Sequence, residues 1–339
     1  MTNVLVTGGA GVLGARLARQ LLATGALAAG GAPAQPVTRL TLVDRVPPPA
    51  DLTADHRVTA IVGDLTELLE PGRAGSSLAG TAALAGADVI FHLAAAVSAE
   101  CETDFDLGMR VNLGGTQALL ERCRGAASRP VVVFASSLAV FGASAEHPLP
   151  RVVDDHTMAN PQSSYGMQKL ICEQLLAGYT RKGFLRGRAV RLMTVSVRPG
   201  RPNAAASGFL SAIIREPLAG RRARCPVGPR TEVALSSPAS AIDGLLCAAA
   251  ASDAAWGDPT PVNLPALTAT VAGLVAALER VAGPQASALI DWLPDPAVAA
   301  IVTGWPARFR TDRAERLGLR PDPDVDSVIR MYLAETMIT

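Results

Sequence analysis

Tyr165 and Lys169 stand four residues apart in the stretch SSYGMQK (163–169). On a helix, residues spaced i and i+4 share a face and can touch. A phenol with a pKa near 10 is a poor base at neutral pH. Lowering that value by about 3 units takes roughly 4 kcal/mol of preferential stabilisation of the phenolate. An ammonium group beside the ring, helped by a second positive charge, supplies stabilisation of this kind. The pair is therefore either an acid–base device or a chance Tyr–Lys pair on a solvated helix, and the spacing alone does not choose. Tyrosine is scarce here, the only others being Tyr179 and Tyr332.

A second chemical signal lies at the amino end. TGGAGVLG (7–14) places Gly8, Gly11 and Gly14 in a GxxGxxG pattern between an apolar run, NVLVT, and a helical pattern beginning at Val12 and Leu13. Glycines allow a tight turn and a close approach of backbone to a pyrophosphate, and the helix behind them presents free N–H groups and the positive end of its dipole. Strand–loop–helix context makes this a dinucleotide site rather than a turn. Asp44 ends the next apolar strand, LTLVD. A carboxylate there accepts from both adenosine ribose hydroxyls and repels a 2′-phosphate, which favours NAD over NADP. A turn-forming Asp is the competing reading, and Arg45 beside it suits a phosphate. The loop-to-carboxylate spacing is longer than the usual 20 or so residues, which the Ala/Gly/Pro-rich stretch 25–38 accounts for as a surface loop. Asp64, in Gly63–Asp64–Leu65, either accepts from the adenine amino group or caps the next helix.

These residues need elements to position them. Strand-like runs at Asn3–Thr7, Leu40–Asp44, Val58–Val62, Asp88–Leu93, Val131–Ser136 and Ala189–Val195 alternate with helical patterns at Val12–Ala23, Phe105–Cys123 and Ser164–Arg181. That alternation predicts a parallel sheet covered on both faces, and right-handed crossovers make it doubly wound. Strand ends line the ligand crevice of such sheets, so Ser137, after the fifth strand, belongs beside the cofactor, and the helix carrying Tyr165 and Lys169 flanks the same crevice. Beyond about Val195 the rhythm loosens. Helical patterns at Phe209–Leu218, Ala239–Ala250, Val271–Val281 and Asp326–Glu335, with a short strand near Pro261–Leu264, predict a smaller cap. The expected division is a dinucleotide-binding domain over 1–193, with 233–264 returning to it, and a substrate-binding domain over 194–339.

The totals exclude other classes. Net charge is +1, from 31 basic and 30 acidic residues, with no basic stripe, and aromatics make up 4%, so nucleic acid is not the expected partner. No apolar run reaches the roughly 20 residues of a membrane span, and the start, MTNVLVTGG, is not a signal peptide. Five scattered cysteines (101, 123, 172, 225, 247) form no CxxC or Cys/His cluster, which predicts core thiols in a reducing cytoplasm, with no metal site and no disulfide framework.

In this order, TGGAGVLG, Asp44, GDL (63–65), HLAA (92–95), NLGGT (112–116), SSLAVFG (136–142) and Tyr165 with Lys169 resemble the extended short-chain dehydrogenase/reductase family, the NAD-dependent epimerases and dehydratases, over nearly the whole chain. The resemblance implies a seven-stranded Rossmann core with a smaller C-terminal α/β substrate-binding domain, a bound NAD, and a catalytic set of Ser137, Tyr165 and Lys169. Tyr165 would take a proton from a substrate hydroxyl as hydride leaves the same carbon, Ser137 would hold that hydroxyl, and Lys169 would also bind the nicotinamide ribose. Cofactor contacts are expected from Gly8, Gly11, Val12, Leu13, Gly14, Asp44, Asp64, Leu65, Leu93, Ala94 and Asn112, the last also suited to binding backbone or water. His92 reads as a satisfied core histidine. Phe141 stands where many relatives have tyrosine. The resemblance further implies a homodimer formed through the helices holding Asn112 and Tyr165.

Dehydratases of the family carry two carboxylates just after the catalytic Ser/Thr. Leu138 and Ala139 stand there, so dehydration is disfavoured. A sugar-nucleotide 4-epimerase with tightly bound NAD stays open, with Arg215, Arg221, Arg222 and Arg224 available for a diphosphate. A non-catalytic NAD sensor is the third reading, though such relatives often lack the Tyr or the Lys. The segment RLMTVSVRPGRPNAAASGFLSAIIREPLAG (191–220), with 92–100, 105–112 and 161–169, resembles the branch of the family that oxidises the C2 hydroxyl of D-erythronate, a four-carbon sugar acid, to 2-oxo-tetronate with NAD. A small acid needs a cation for its carboxylate, and the arginine fork suits it. Arg201 is the first candidate and Arg198 its competitor, with a surface salt bridge as the plain alternative for Arg201. Asn203, Ser207 and Ser98 are expected to bind the remaining hydroxyls and Thr194 to face the nicotinamide edge.

Overall fold

The structure, a computed structural model, describes residues 1–69, 84, 86–126, 128–200 and 205–336. Its centre is a sheet of seven parallel strands, β1 (Thr2–Thr7), β3 (Gln35–Asp44), β4 (Val58–Val62), β5 (Val89–His92), β6 (Val131–Ser137), β7 (Arg186–Leu192) and β11 (Val262–Asn263). They run in the order β11-β7-β6-β5-β1-β3, with β4 also paired to β3. An eighth strand, β2 (Ala26–Leu27), pairs antiparallel with Gln35–Pro36. The stretch 25–38 is thus a small extension of the sheet edge, not the plain loop that its Ala/Gly/Pro content predicts. Gly30 and Gly31 donate to Ala249 and Ala250 carbonyls, and Leu27 is buried.

The central strands β1, β5 and β6 are mostly apolar because both faces are covered, and alternation sorts their side chains. Val4, Val6, Val89, Phe91, Val131 and Val133 meet Leu17 and Leu21 of α1 (Val12–Thr24) on one face. Leu5, Ile90, Val132 and Phe134 meet Leu119, Leu120, Cys172 and Leu176 on the other. That second face is covered by α4 (Gly115–Arg124) and α5 (Ser164–Arg181). Preceding them are α2 (Leu65–Leu69) and α3 (Ser98–Thr103). The helix expected over Phe105–Cys123 is broken into a short turn, a π-helical stretch over Met109–Gly114, and α4.

The smaller lobe has its own core of Leu210, Ile213, Ile214, Leu274, Leu278, Val328 and Ile329. It combines α6 (Gly208–Leu218), α8 (Val271–Ala282) and α9 (Val325–Thr336) with two small sheets. One is β8 (Thr194–Val195), β10 (Glu232–Ser236) and β12 (Leu267–Thr270), and the other pairs β9 (Ala223–Cys225) with β13 (Ile290–Trp292). Between them α7 (Pro238–Ala250) and β11 return to the main sheet. Ile242 and Leu245 of α7 join the α1 face, and β11 pairs with β7. β10, the first element of the expected 233–264 return, pairs instead with β8 and β12.

Candidate active site

The parallel strands end along one edge, where the sheet meets the smaller lobe in a cleft of about 280 Å³. Gly8, Gly11, Val12, Leu13 and Gly14 line it on one side, and Ser98, Ser137, Tyr165, Lys169, Thr194 and Arg198 on the other.

The glycine loop is too closely packed for side chains. A Cβ on Gly14 would stand 2.1 Å from the Gly8 carbonyl oxygen, and one on Gly8, at φ +74°, would stand 2.8 Å from the Ala94 amide nitrogen. Helix α1 starts without a side-chain cap and without an acidic residue in its first turn. Its first N–H groups are therefore left for an anion, as a pyrophosphate requires. Asp44 Oδ2 accepts from the Ala10 amide at 2.9 Å and Oδ1 from Val46 at 3.3 Å, so this carboxylate braces the glycine loop at the end of β3. These residues fit a dinucleotide.

Tyr165 and Lys169 lie on α5, whose first turn is capped by Ser163. Gly166 lets the helix approach: a Cβ there would meet the Ala139 carbonyl oxygen at 2.1 Å. The helix is thereby seated on the turn 138–140, directly after Ser137. Lys169 is 3% exposed. Its Nζ donates to the Ala135 carbonyl at 2.8 Å and lies 4.7 Å from the Phe134 ring centroid and 5.6 Å from that of Tyr165. Burial pulls its pKa down to about 8, with the neighbouring Cys172, Cys101 and Glu173 groups acting in the opposite direction. Tyr165 departs from expectation. Burial pushes its pKa up to about 12, and a hydrogen bond with Ser137 and the Arg198 charge only partly oppose this. Taken alone, the protein keeps the phenol protonated because burial desolvates its hydroxyl. The positive charge of an oxidised nicotinamide would act on the lowering side.

Other predicted residues take supporting places. Asp64 caps α2, accepting from the Thr66 amide at 2.9 Å and hydroxyl at 2.5 Å, and Leu65 packs on the core. Neither lines the cleft. Ala94 backs the glycine loop, while Leu93 and Ala95 line the cleft itself. Asn112 does not line the cleft. It is 2% exposed, its Oδ1 accepts from Ala96 at 2.8 Å, and its Nδ2 donates to Gln168 Oε1 at 2.8 Å and Ala96 O at 3.2 Å. A buried amide so fully engaged fixes the β5 loop against α5. His92 is held between Thr7 and Thr116 hydroxyls at 2.6 and 2.9 Å, and burial lowers its pKa to about 3, so it stays neutral. Ser98 accepts from the Ala206 amide at 3.1 Å. Arg201 and Asn203 lie outside the described residues. The competitor, Arg198, lines the cleft, and its guanidinium makes no hydrogen bond or ion pair among the described residues. Burial and the neighbouring Arg215 charge lower its pKa, while Tyr165 raises it.

Two features escaped the sequence reading. Trp305 reaches the cleft from a segment far along the chain. Beneath the site, Glu173, 1% exposed, takes Arg191 by two hydrogen bonds of 2.9 and 2.8 Å and the Ser136 hydroxyl at 2.5 Å. The spacing of Glu173 four residues after Lys169 was available as a signal. The position of Trp305 had none, because it depends on the path of the chain between lobes.

Residues 4–233 match the NAD dependent epimerase/dehydratase family, and the chain belongs to it; it is an NAD-using oxidoreductase. It is 47% identical to a D-erythronate dehydrogenase of Cupriavidus necator, over 98% of both chains. To a D-erythronate dehydrogenase of Haemophilus influenzae it is 37% identical, over 99% of this chain and 100% of that one. The crystal structure of a nucleoside-diphosphate-sugar epimerase from Agrobacterium tumefaciens superposes with a TM-score of 0.87 at 38% identity, covering 98% of this chain and 94% of that one.

Proposed function

We propose that the protein oxidises the C2 hydroxyl of a short sugar acid, D-erythronate to 2-oxo-tetronate. The observation that carries this reading is Arg198, a cation with no carboxylate partner among the described residues, in one cleft with Ser137, Tyr165 and Lys169. A partly buried guanidinium without an anionic partner among the described residues is costly, and a substrate carboxylate relieves it. NAD, when bound, accepts the hydride. Ser137 and Tyr165 hold the C2 hydroxyl, and Tyr165 takes its proton. Lys169 carries a positive charge beside that phenol and binds the cofactor's ribose. Ser98, Ser207 and Thr194 are available for the remaining hydroxyls, and Arg201 and Asn203 are proposed to assist from the segment beside Arg198.

The arginines available to a diphosphate in the epimerase alternative are otherwise engaged. Arg215 and Arg221 pair with Glu216, Arg222 pairs with Asp291 and Arg224 with Asp295, and none of the four lines the cleft. Among the described residues no helix is long and apolar enough to cross a membrane. All five cysteines are free, four of them buried, which suits the reducing cytoplasm we propose as its location. We further propose a homodimer formed through the helices around Asn112 and Tyr165.

The test is reduction of NAD or NADP by purified protein with a panel of short 2-hydroxy acids, followed by absorbance. Reduction of NAD by D-erythronate, and poorly by its stereoisomers, is the expected result. No reduction with any acid rejects the reading and moves the weight to UDP-sugars with bound NAD.

A further inference from the structure

We infer that Trp305 sets the length of acid the cleft accepts; this rests on the sugar-acid reading above. Leu138, Thr194 and Trp305 line the catalytic cleft, and the same three residues line a separate, partly open hollow of about 10 Å³ next to it, bounded further by Glu232, Val233, Ala234, Val302 and Pro306. They are the partition between the two spaces. A void of this size is at the lower limit for a single water, so no substrate atom extends into it while the indole is in place. The partition starts one residue from Ser137, so it limits how far a substrate held by that hydroxyl can extend.

The indole is fixed from several directions. It packs on the cluster of Leu138, Met193 and Ala234. The strand-like segment after it crosses between the lobes: Val153 donates to the Arg308 carbonyl at 2.9 Å, and Arg310 donates to the Val153 carbonyl at 2.8 Å. Thr268 of β12 holds the Ala307 carbonyl at 2.8 Å, and Arg308 pairs with Glu232 of β10 at 3.0 Å through Nε. Phe309 packs edge-on against Phe141, 6.1 Å between centroids. A wall tied to both lobes in this way does not yield to a longer substrate. It discriminates by steric exclusion, whereas added space in an apolar pocket is worth about ten- to two-hundredfold in specificity.

The experiment compares wild type with Trp305→Ala and Trp305→Phe. It measures kcat/KM with NAD for D-erythronate and for a six-carbon aldonate, D-gluconate, and the dissociation constants of both acids by calorimetry on the NADH-bound protein. In Trp305→Ala the six-to-four-carbon ratio is expected to rise about tenfold or more, with NAD affinity unchanged. Trp305→Phe, which keeps the packing on Met193, should fall between. A ratio unchanged in both variants, in protein that still binds NAD, overturns the inference while leaving the reaction standing. A wild type that neither oxidises nor binds the four-carbon acid overturns the reaction reading and the inference with it.

Discussion

At the scale of single residues the site is a set of groups held away from their ordinary ionisation. Tyr165 is pushed to about 12 and Lys169 down to about 8, both by burial first. Tyr165→Phe removes the proposed base together with its hydrogen bond to Ser137, so turnover should fall by at least about a hundredfold while NAD binding measured by fluorescence stays near wild type. Near-normal turnover would remove Tyr165 from the mechanism. The lysine makes a second prediction through stability. Its ordinary pKa is 10.5 and its folded value is lower. Between pH 8 and 10.5 the unfolded chain therefore binds more protons, and stability rises with pH. Below pH 8 the buried ammonium opposes folding by roughly 3 kcal/mol. Lys169→Met keeps the aliphatic stem without the charge. It should melt at a higher temperature than wild type at pH 7, with the difference shrinking toward pH 10, even as activity is lost. A difference that does not vary with pH would mean that packing, not charge, separates the two.

Among the elements, the glycine loop and the start of α5 show how close approach is achieved. The Gly14 position admits no Cβ because the Gly8 carbonyl lies 2.1 Å away, against backbone that cannot swing aside. Gly14→Ala should weaken NAD binding by at least about tenfold and lower the melting temperature, in line with the roughly 1–3 kcal/mol cost of overpacking. Unchanged NAD affinity in a folded variant would show that the loop does not hold the pyrophosphate. At α5, the Glu173–Arg191 pair is buried on both sides, at 0% and 7% side-chain exposure. Glu173→Ala leaves an unpaired guanidinium and should cost about 3–5 kcal/mol in denaturant unfolding. The double change Glu173→Leu with Arg191→Leu should cost clearly less. Equal losses in the two would mean that the carboxylate acts through Ser136 and not through the arginine.

For the whole molecule, the cleft exists only because two lobes meet. The main sheet brings the glycine loop, Ser137 and α5, while the smaller lobe brings Thr194, Arg198 and Trp305. Chain returns through α7 and β11, and the Val153–Arg308 and Arg310–Val153 backbone bonds, tie the lobes together. Assembly belongs at this scale too. Light scattering at micromolar concentration should give the mass of two chains, and a monomeric mass would count against the proposed dimer through the helices around Asn112 and Tyr165.

The sequence by itself determined the parallel strands, because apolar runs between helical patterns have few other stable arrangements. Val58–Val62 and Ser164–Arg181 are found with the bounds that the patterns predict. It also pointed to the glycine loop, the Tyr165–Lys169 pair and Ser137, local patterns on adjoining elements that the fold brings to one cleft. What it left open was decided by burial and by contacts far apart in the chain. That Asn112, in the π-helical stretch, bonds Ala96 and Gln168 is a contact between distant parts of the chain. The choice of Asp64 as cap followed from the Thr66 bonds. The sign of the Tyr165 shift followed from desolvation, which no residue spacing encodes. That Arg198 and Trp305 enter one cleft more than 100 residues apart was fixed by how the smaller lobe packs on the strand ends, which is a property of the folded chain and not of any local pattern.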